Sequence, residues 1–289
     1  MKILLELFAL GLVCLLFVFF ESLRENKKVK VVSYQYPDSS LKYWKGKKVM
    51  LLTDLHNCVY GKDNQTLLQL IYKQNPDLIL IAGDMLVGKP KQDFSETVSF
   101  LNRLAEMDCP VFYAHGNHEL RTRIYKEQYG DMYENFRKEL SPKIQFLLNE
   151  SVTLCKEGET LKIYGLDLNE KYYKRFKKVP MEESYLKEIW EKEQKNEADF
   201  CIFIAHNPLY FEEYAKLGVD MVVAGHYHGC MVRLPLLGGV LSPQLEFFPK
   251  YVAGEYRKGK TRMYLSAGLG SHGIKIRIGN VPELIEITL

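Results

Sequence analysis

Apolar residues run along this chain in three rhythms. The first is unbroken: residues 3–20 read ILLELFALGLVCLLFVFF, with Glu6 the only charge. Eighteen residues at the rise of an α-helix span about 27 Å, close to the hydrocarbon thickness of a bilayer. The second rhythm is a series of short continuous runs at 49–53, 78–82, 111–114, 161–165, 200–205, 219–224, 263–266, 274–278 and 284–288. Runs of this length, bounded by turn residues, predict strands buried on both faces. The third is helical. Leu67, Leu68, Leu70 and Ile71 mark a helix over 64–75 stopped by Pro76, and Phe94, Val98, Leu101 and Leu104 mark another over 94–107. The charged stretches 124–140 and 181–197 are also expected to be helical, and 31–47 to be an extended linker with a first strand. Strands alternating with helices place the body in the α/β class. No repeat recurs at a period of 20–50 residues.

The N-terminal run reads as an uncleaved membrane anchor. A signal peptide would have a shorter apolar region, and Phe19-Phe20-Glu21-Ser22-Leu23 offers no small-x-small cleavage site. Arg24, Lys27, Lys28 and Lys30 follow the span, whereas Lys2 alone precedes it. The positive-inside rule then keeps the body cytoplasmic, while the short N-terminus before an export-like segment points to the other side. Both orientations stay open.

Charge sharpens this picture. Residues 1–30 carry five basic and three acidic side chains; the rest of the 289-residue chain carries 34 and 33. A near-neutral body argues against life on duplex nucleic acid, where clustered basic charge supplies most of the affinity. The six cysteines are scattered without a C-x-x-C, and Cys14 lies inside the apolar run. A disulfide framework and a zinc ribbon are both disfavoured.

Five polar clusters each follow an apolar strand: Thr53-Asp54-Leu55-His56, Gly83-Asp84, Gly116-Asn117-His118-Glu119, Ala205-His206-Asn207-Pro208 and Gly225-His226-Tyr227-His228-Gly229. Ligands bind at the carboxyl ends of strands in α/β sheets, so the fold can bring all five together. Asp54 and His56 are two residues apart, as are His226 and His228, so each pair can point the same way. A mixed Asp/His/Asn set suits Mn, Fe or Zn better than calcium. Eight donors are too many for one ion and suit two. A lone Asp-x-His or Gly-Asp usually means a turn or a cap; five clusters in register with five strands mean more.

The order Asp-x-His, Gly-Asp, Gly-Asn-His-Glu, His, Gly-His-x-His resembles the calcineurin-like metallophosphoesterase superfamily over about residues 48–289. Ser-Pro-Gln and Phe-Phe-Pro-Lys within 242–250, and the ending Ser-Ala-Gly-Leu-Gly, Ile-Arg, Pro-Glu-Leu-Ile-Glu-Ile, are similar to its bacterial, often membrane-anchored branch. One departure stands out. Relatives often continue Gly-His-x-His-Gly with Gly-Gln, where this chain has Cys230-Met231, so an altered pocket shape is expected.

The resemblance implies a four-layer αββα sandwich, two mixed β-sheets flanked by helices, preceded by one transmembrane helix. The anchor and its basic flank would occupy 1–30 and the catalytic domain 31–289. It further implies one divalent metal held by Asp54, His56 and His228, a second by Asn117, His206 and His226, and Asp84 bridging them. A hydroxide activated by the two metals would then hydrolyse a phosphodiester, phosphomonoester or pyrophosphate. His118 would protonate the leaving oxygen, with Glu119 orienting it. The anchor adds the membrane as a partner and favours a lipid or cell-envelope substrate. A non-catalytic scaffold of the same fold is a second reading, which the complete ligand set disfavours. A nuclease of the superfamily is a third, and no nucleic-acid partner is expected. His115 reads as a core residue and His272 as a solvated loop residue. The basic-aromatic stretch 169–178 reads as a solvated connector rather than a lid, and 120–140 as a possible wall of the pocket.

Overall fold

Alternate side chains of each buried strand enter different cores, which is why the strands read as continuous apolar runs. The computed structural model describes residues 1–37, 41–174, 179–191, 198–234, 236–242, 246–271 and 275–289. Strands β1–β5 are Lys30–Gln35, Lys48–Leu52, Leu78–Ala82, Val111–Ala114 and Ile144–Phe146; β6–β9 are Glu150–Lys156, Glu159–Leu166, Phe200–Ala205 and Met221–Ala224. Strands β10–β14 are Val232–Leu234, Gly238–Leu241, Gly254–Lys258, Thr261–Leu265 and Glu283–Thr288. Helices α1–α4 are Lys2–Asn26, Gln65–Gln74, Ser95–Leu104 and Asn117–Ile124; α5–α8 are Lys126–Tyr129, Met132–Glu139, Glu183–Glu191 and Phe211–Ala215.

Two six-stranded mixed sheets form, in the orders β1-β14-β2-β3-β4-β5 and β12-β13-β9-β8-β7-β6. The β2–β5 block is parallel, and β14 joins it antiparallel to β2. In the second sheet β7, β8, β9 and β13 are parallel, flanked by antiparallel β6 and β12. Leu51, Leu80 and Phe112 of one sheet pack with Ile163, Ile202 and Val223 of the other in a core between them. The intervening residues Ile79 and Ile81 face outward, against Leu67 and Ile71 of α2, Leu101 of α3 and Phe136 of α6. On the far side, Phe203 and Val222 meet Leu186 and Trp190 of α7 and Tyr214 of α8. These are the four layers αββα.

Helix α2 ends where Asn75 turns left-handed (φ 50) ahead of Pro76. Helix α4, by contrast, has no apolar stripe to announce it, since it buries Asn117, His118 and Glu119. Strands β6 and β12 are half-exposed edges and lack the apolar runs that mark the central strands. Ile274 lies outside the described residues, and among the described residues 275–278 no strand forms, Ile278 making a single bridge to Val232. The five cysteines of the body are free.

Helix α1 is the one described helix long and apolar enough to cross a membrane, and a signal sequence shares those properties. Its last turns behave differently from the rest. Ser22 and Glu25 are buried against the body, 5% and 4% exposed.

Ile285 of β14 sits fully buried in the core between the sheets. Ile285→Ala should therefore cost about 2–5 kcal/mol, read as a lowered midpoint in denaturant unfolding of the full chain.

Candidate metal centre

Five strands deliver the candidate ligands. Asp54 and His56 follow β2, Asp84 follows β3, and Asn117 and His118 open α4 after β4; His206 follows β8, and His226 and His228 follow β9. Three carboxyl ends of one sheet thus converge with two of the other. Three groups of buried donors result, Asp54–His56–His228, His56–Asp84–His118 and Asp84–His206–His226, with the ligand atoms of each within 4.8 Å of one another. Asp84 Oδ2 lies 3.2 Å from His206 Nε2, 3.8 Å from His56 Nε2 and 3.9 Å from His118 Nε2. Asp54 Oδ1 lies 3.4 Å from His228 Nε2 and 3.9 Å from His206 Nε2.

Hydrogen bonds aim these atoms inward. Thr53 Oγ1 and the His226 amide donate to Asp54 Oδ2, at 2.8 and 2.9 Å, leaving Oδ1 facing the cluster. The His118 amide donates to Asp84 Oδ1 at 2.7 Å, leaving Oδ2. His206 Nδ1 donates to the Ala82 carbonyl at 2.5 Å, and His228 Nδ1 to the Gly270 carbonyl at 2.9 Å. Each ring therefore aims Nε2 at the centre, as metal-ligating histidines do. Asp54 Oδ1 and Asn117 Oδ1 are buried without a hydrogen-bond partner. Buried acceptors of this kind are costly unless a cation satisfies them. The residues therefore fit divalent metal ions.

The backbone is strained to make the cluster. Asp54, His56, Asp84, His226 and His228 all have φ between 50 and 72, the left-handed region. Such residues cost of order 1–3 kcal/mol each and persist where their surroundings over-determine them. Glycine is required at two contacts. A Cβ on Gly83 would stand 2.1 Å from the Gly116 nitrogen, and one on Gly116 would stand 2.1 Å from Asp84 Oδ1.

The Glu119 carboxylate accepts from the amides of Asp84, Met85 and Gly116 and from the Tyr113 hydroxyl, at 2.7–3.0 Å, and from the Leu86 amide at 3.4 Å. It gathers the Asp84 loop onto the start of α4. The Gly88 amide donates to His118 Nδ1 at 2.7 Å, and Nε2 faces Asp84, 3.9 Å from Oδ2. Tyr129, from the 120–140 stretch, donates to the Gly88 carbonyl at 3.1 Å and steadies this contact.

Other expectations sort as follows. His115 is buried outside the cluster, between the Tyr133 hydroxyl at 3.0 Å and Asp167 at 3.4 Å. Tyr172 and Tyr173 are buried rather than solvated, and the Tyr173 ring lies 5.3 Å from the His226 ring as a wall of the centre. Residues 175–178 of that stretch, and His272, lie outside the described residues. Cys230 is buried, and a Cβ on Gly239 would stand 2.5 Å from its sulfur, so Cys230 shapes the packing under the ligand loop. Thr53, Gly88, Tyr173, Arg277 and Asn280 support the site, in roles that become visible only through their contacts. A cavity of about 390 Å³ opens beside His56, lined also by Asn26, Asn57, Tyr60, Lys89 and Lys275.

Electrostatics follow from burial and crowding. Burial and the nearby Asp84 push the Asp54 carboxyl up to about 6, an effect His206 opposes. At Asp84 burial also acts upward, but His206 and His118 outweigh it and hold the carboxyl well below the usual range. His206 is raised to about 9, because the Asp84 and Asp54 carboxylates overcome its burial. His228 is lowered to about 3 by burial and by Arg277. Below pH 9 metal-free His206 therefore carries a proton that a metal must displace. Loading at pH 7 should release roughly one proton from this residue, and affinity should rise between pH 7 and 9. Calorimetry in two buffers of different ionisation enthalpy measures this; equal heats would contradict it. Separately, Glu119→Gln should lower metal-free stability by about 1–3 kcal/mol, because buried amides lose their acceptor, as denaturant midpoints would show.

Comparison with known proteins agrees with this geometry. The model of the calcineurin-like phosphoesterase family matches residues 47–230. Phosphodiesterase YaeI of Escherichia coli K12 is 26% identical over 244 residues, covering 83% of this chain and 82% of that one. The uncharacterized metallophosphoesterase Cj0846 of Campylobacter jejuni is 28% identical, covering 98% and 70%. Among solved structures, sulfate thiohydrolase SoxB of Thermus thermophilus superposes with a TM-score of 0.51 at 12% identity, a likeness of fold. That match covers 80% of this chain, which spans about half the length of SoxB (53%). With five strand ends delivering the donors in the order this family uses, the chain belongs to the calcineurin-like phosphoesterases and is a phosphoester hydrolase.

Proposed function

We propose that the chain is a membrane-anchored, two-metal phosphoesterase that hydrolyses a phosphodiester or pyrophosphate on a membrane amphiphile. The observation that carries the metal reading is Asp84 Oδ2, which two of the donor groups share. Asp54, His56 and His228 would hold one divalent cation and Asn117, His206 and His226 the other, with Asp84 between them. Bound cations of the Mn, Fe or Zn type supply Lewis acidity to the phosphoryl oxygens and make the attacking water nucleophilic.

The protein's own groups do the positioning. Ala82 and Gly270 carbonyls set the tautomers of His206 and His228. Thr53 and the backbone amides of His226 and His118 hold the two carboxylates so that one oxygen of each faces inward. His118 presents Nε2–H from the Asp84 side, where it stabilises charge on the leaving oxygen. The Gly88 amide holds the ring through Nδ1, and His118 would act on the leaving oxygen through Nε2. The ligand set is complete, which favours an enzyme over a scaffold.

Three observations support a membrane substrate. The cavity beside His56 is lined by Asn26, the last residue of the apolar helix. Lys89 and Lys275 stand at its rim, where they would attract a phosphate-bearing headgroup. The β10–β11 hairpin, bridged to Ile278, exposes Leu236 and Leu237, and Phe247 and Phe248 are exposed nearby. Large exposed apolar side chains beside an anchor suit a lipid interface. Retention of the helix, against removal as a signal sequence, is supported by the burial of Ser22 and Glu25 in the body.

Asp84→Asn should reduce turnover of model diesters and of vesicle-borne headgroup esters to a small fraction of wild type, with the circular dichroism unchanged. Wild-type turnover in that variant would contradict the two-metal reading. His118→Ala should lower kcat by about 10²–10³-fold, the scale of a lost charge-stabilising donor. Unchanged kcat in His118→Ala would contradict this role. Equal kcat/KM for soluble and vesicle-borne esters would contradict the amphiphile.

A further inference from the structure

Outside the metal cluster, Arg277 and Glu25 are buried charges with several hydrogen bonds each, and neither belongs to the proposed reaction. Arg277 is 1% exposed, and among the described residues no carboxylate pairs with its guanidinium. It donates to the Ser271 hydroxyl at 3.1 Å and to the carbonyls of Ala267, Gly268, Gly270 and Asn280 at 2.8–3.3 Å. The Gly270 carbonyl is also the one that receives His228 Nδ1. Asn280, 3% exposed, donates from Nδ2 to the carbonyls of His228 and Cys230, both at 2.5 Å. His228 is thus gripped at its ring by the loop that Arg277 organises and at its backbone by Asn280.

Both grips are tied to the N-terminal helix. Glu25 accepts from the Gly279 amide at 3.1 Å through one oxygen and from the Asn280 amide at 3.0 Å through the other. Ser22 Oγ accepts from the Arg277 amide and donates to the Lys275 carbonyl, each at 3.0 Å. Asn26 adds a donor to the Lys275 carbonyl at 3.1 Å. A carboxylate buried at the end of an apolar helix is costly unless its oxygens are bonded, and here each oxygen receives a backbone amide of the segment that holds His228.

We propose that the last turns of α1, through Ser22 and Glu25, form a positioning element for the ligand His228, acting through Arg277 and Asn280. The anchor is then a working part of the metal centre rather than a tether, and the functional body begins within α1, not after residue 30. The proposal rests on His228 holding one of two metals. It predicts that Glu25 affects the ion His228 holds and leaves the other unchanged.

The test uses full-length chain in detergent, with Mn²⁺ in a metal-buffered titration that resolves the two binding events. Glu25→Ala should weaken one event by roughly 10- to 100-fold, the range for partners that orient metal ligands. Glu25→Gln, which keeps one carbonyl acceptor, should weaken the same event by less. In a His228→Ala background, Glu25→Ala should produce no further loss, whereas a general destabilisation would weaken both events and add to the His228 effect. Glu21→Gln, one turn earlier on the helix, serves as the control and should match wild type. Folding of each variant is followed by circular dichroism, and if Glu25→Ala unfolds, the Glu25→Gln series with and without His228→Ala decides. Unchanged binding in Glu25→Gln and Glu25→Ala, or equal weakening of both events, overturns the proposal. If instead wild type binds fewer than two ions, or His228→Ala loses none, it is the two-metal reading that fails.

Discussion

Two carboxylates, Asp54 and Asp84, are held out of water within 4 Å of shared imidazoles, and the rest of the architecture answers that constraint. Burying unpaired carboxylates in a dry interior costs several kcal/mol per ion. Each spends one oxygen on backbone amides or a hydroxyl and turns the other inward, where histidine Nε2 atoms meet it. The arrangement is satisfied by cations. It also explains why five candidate ligands accept left-handed backbone and why Gly83 and Gly116 stand where a Cβ would collide. Two mixed sheets packed face to face supply five strand ends at one edge, with three apolar cores to hold them there.

Two further buried charges act as clamps of opposite sign. Glu119 collects amides of the Asp84 loop and the start of α4; Arg277 collects carbonyls of the Ala267–Ser271 loop behind His228. A carboxylate gathers N–H groups and a guanidinium gathers C=O groups, so each suits a loop whose backbone lacks strand or helix partners. The loops that carry or back the ligands thereby behave as fixed elements.

Much of this was legible in the sequence because the central strands are buried on both faces. LILIA at 78–82 is apolar throughout, since Leu80 enters one core and Ile79 and Ile81 another. The ligand clusters were legible because each begins where such a run ends. Edge strands β6 and β12 were not, as half-exposed positions carry no apolar run. Helix α4 was hidden because its buried face is polar. The amide contacts of Glu119 were hidden for a related reason, since the Asp84 amide it accepts from lies 35 residues away along the chain. The roles of Gly88, Asn280 and Arg277 depend on contacts across as many as 255 residues, which no local pattern encodes.

The most direct measurement is the anomalous difference density of crystals of the full-length chain grown with Mn²⁺. Two peaks roughly 3.5–4 Å apart, one beside Asp54 and His228 and the other beside His206 and His226, with Asp84 Oδ2 touching both, are the expected result. A single peak, or two that do not share Asp84, would contradict the account.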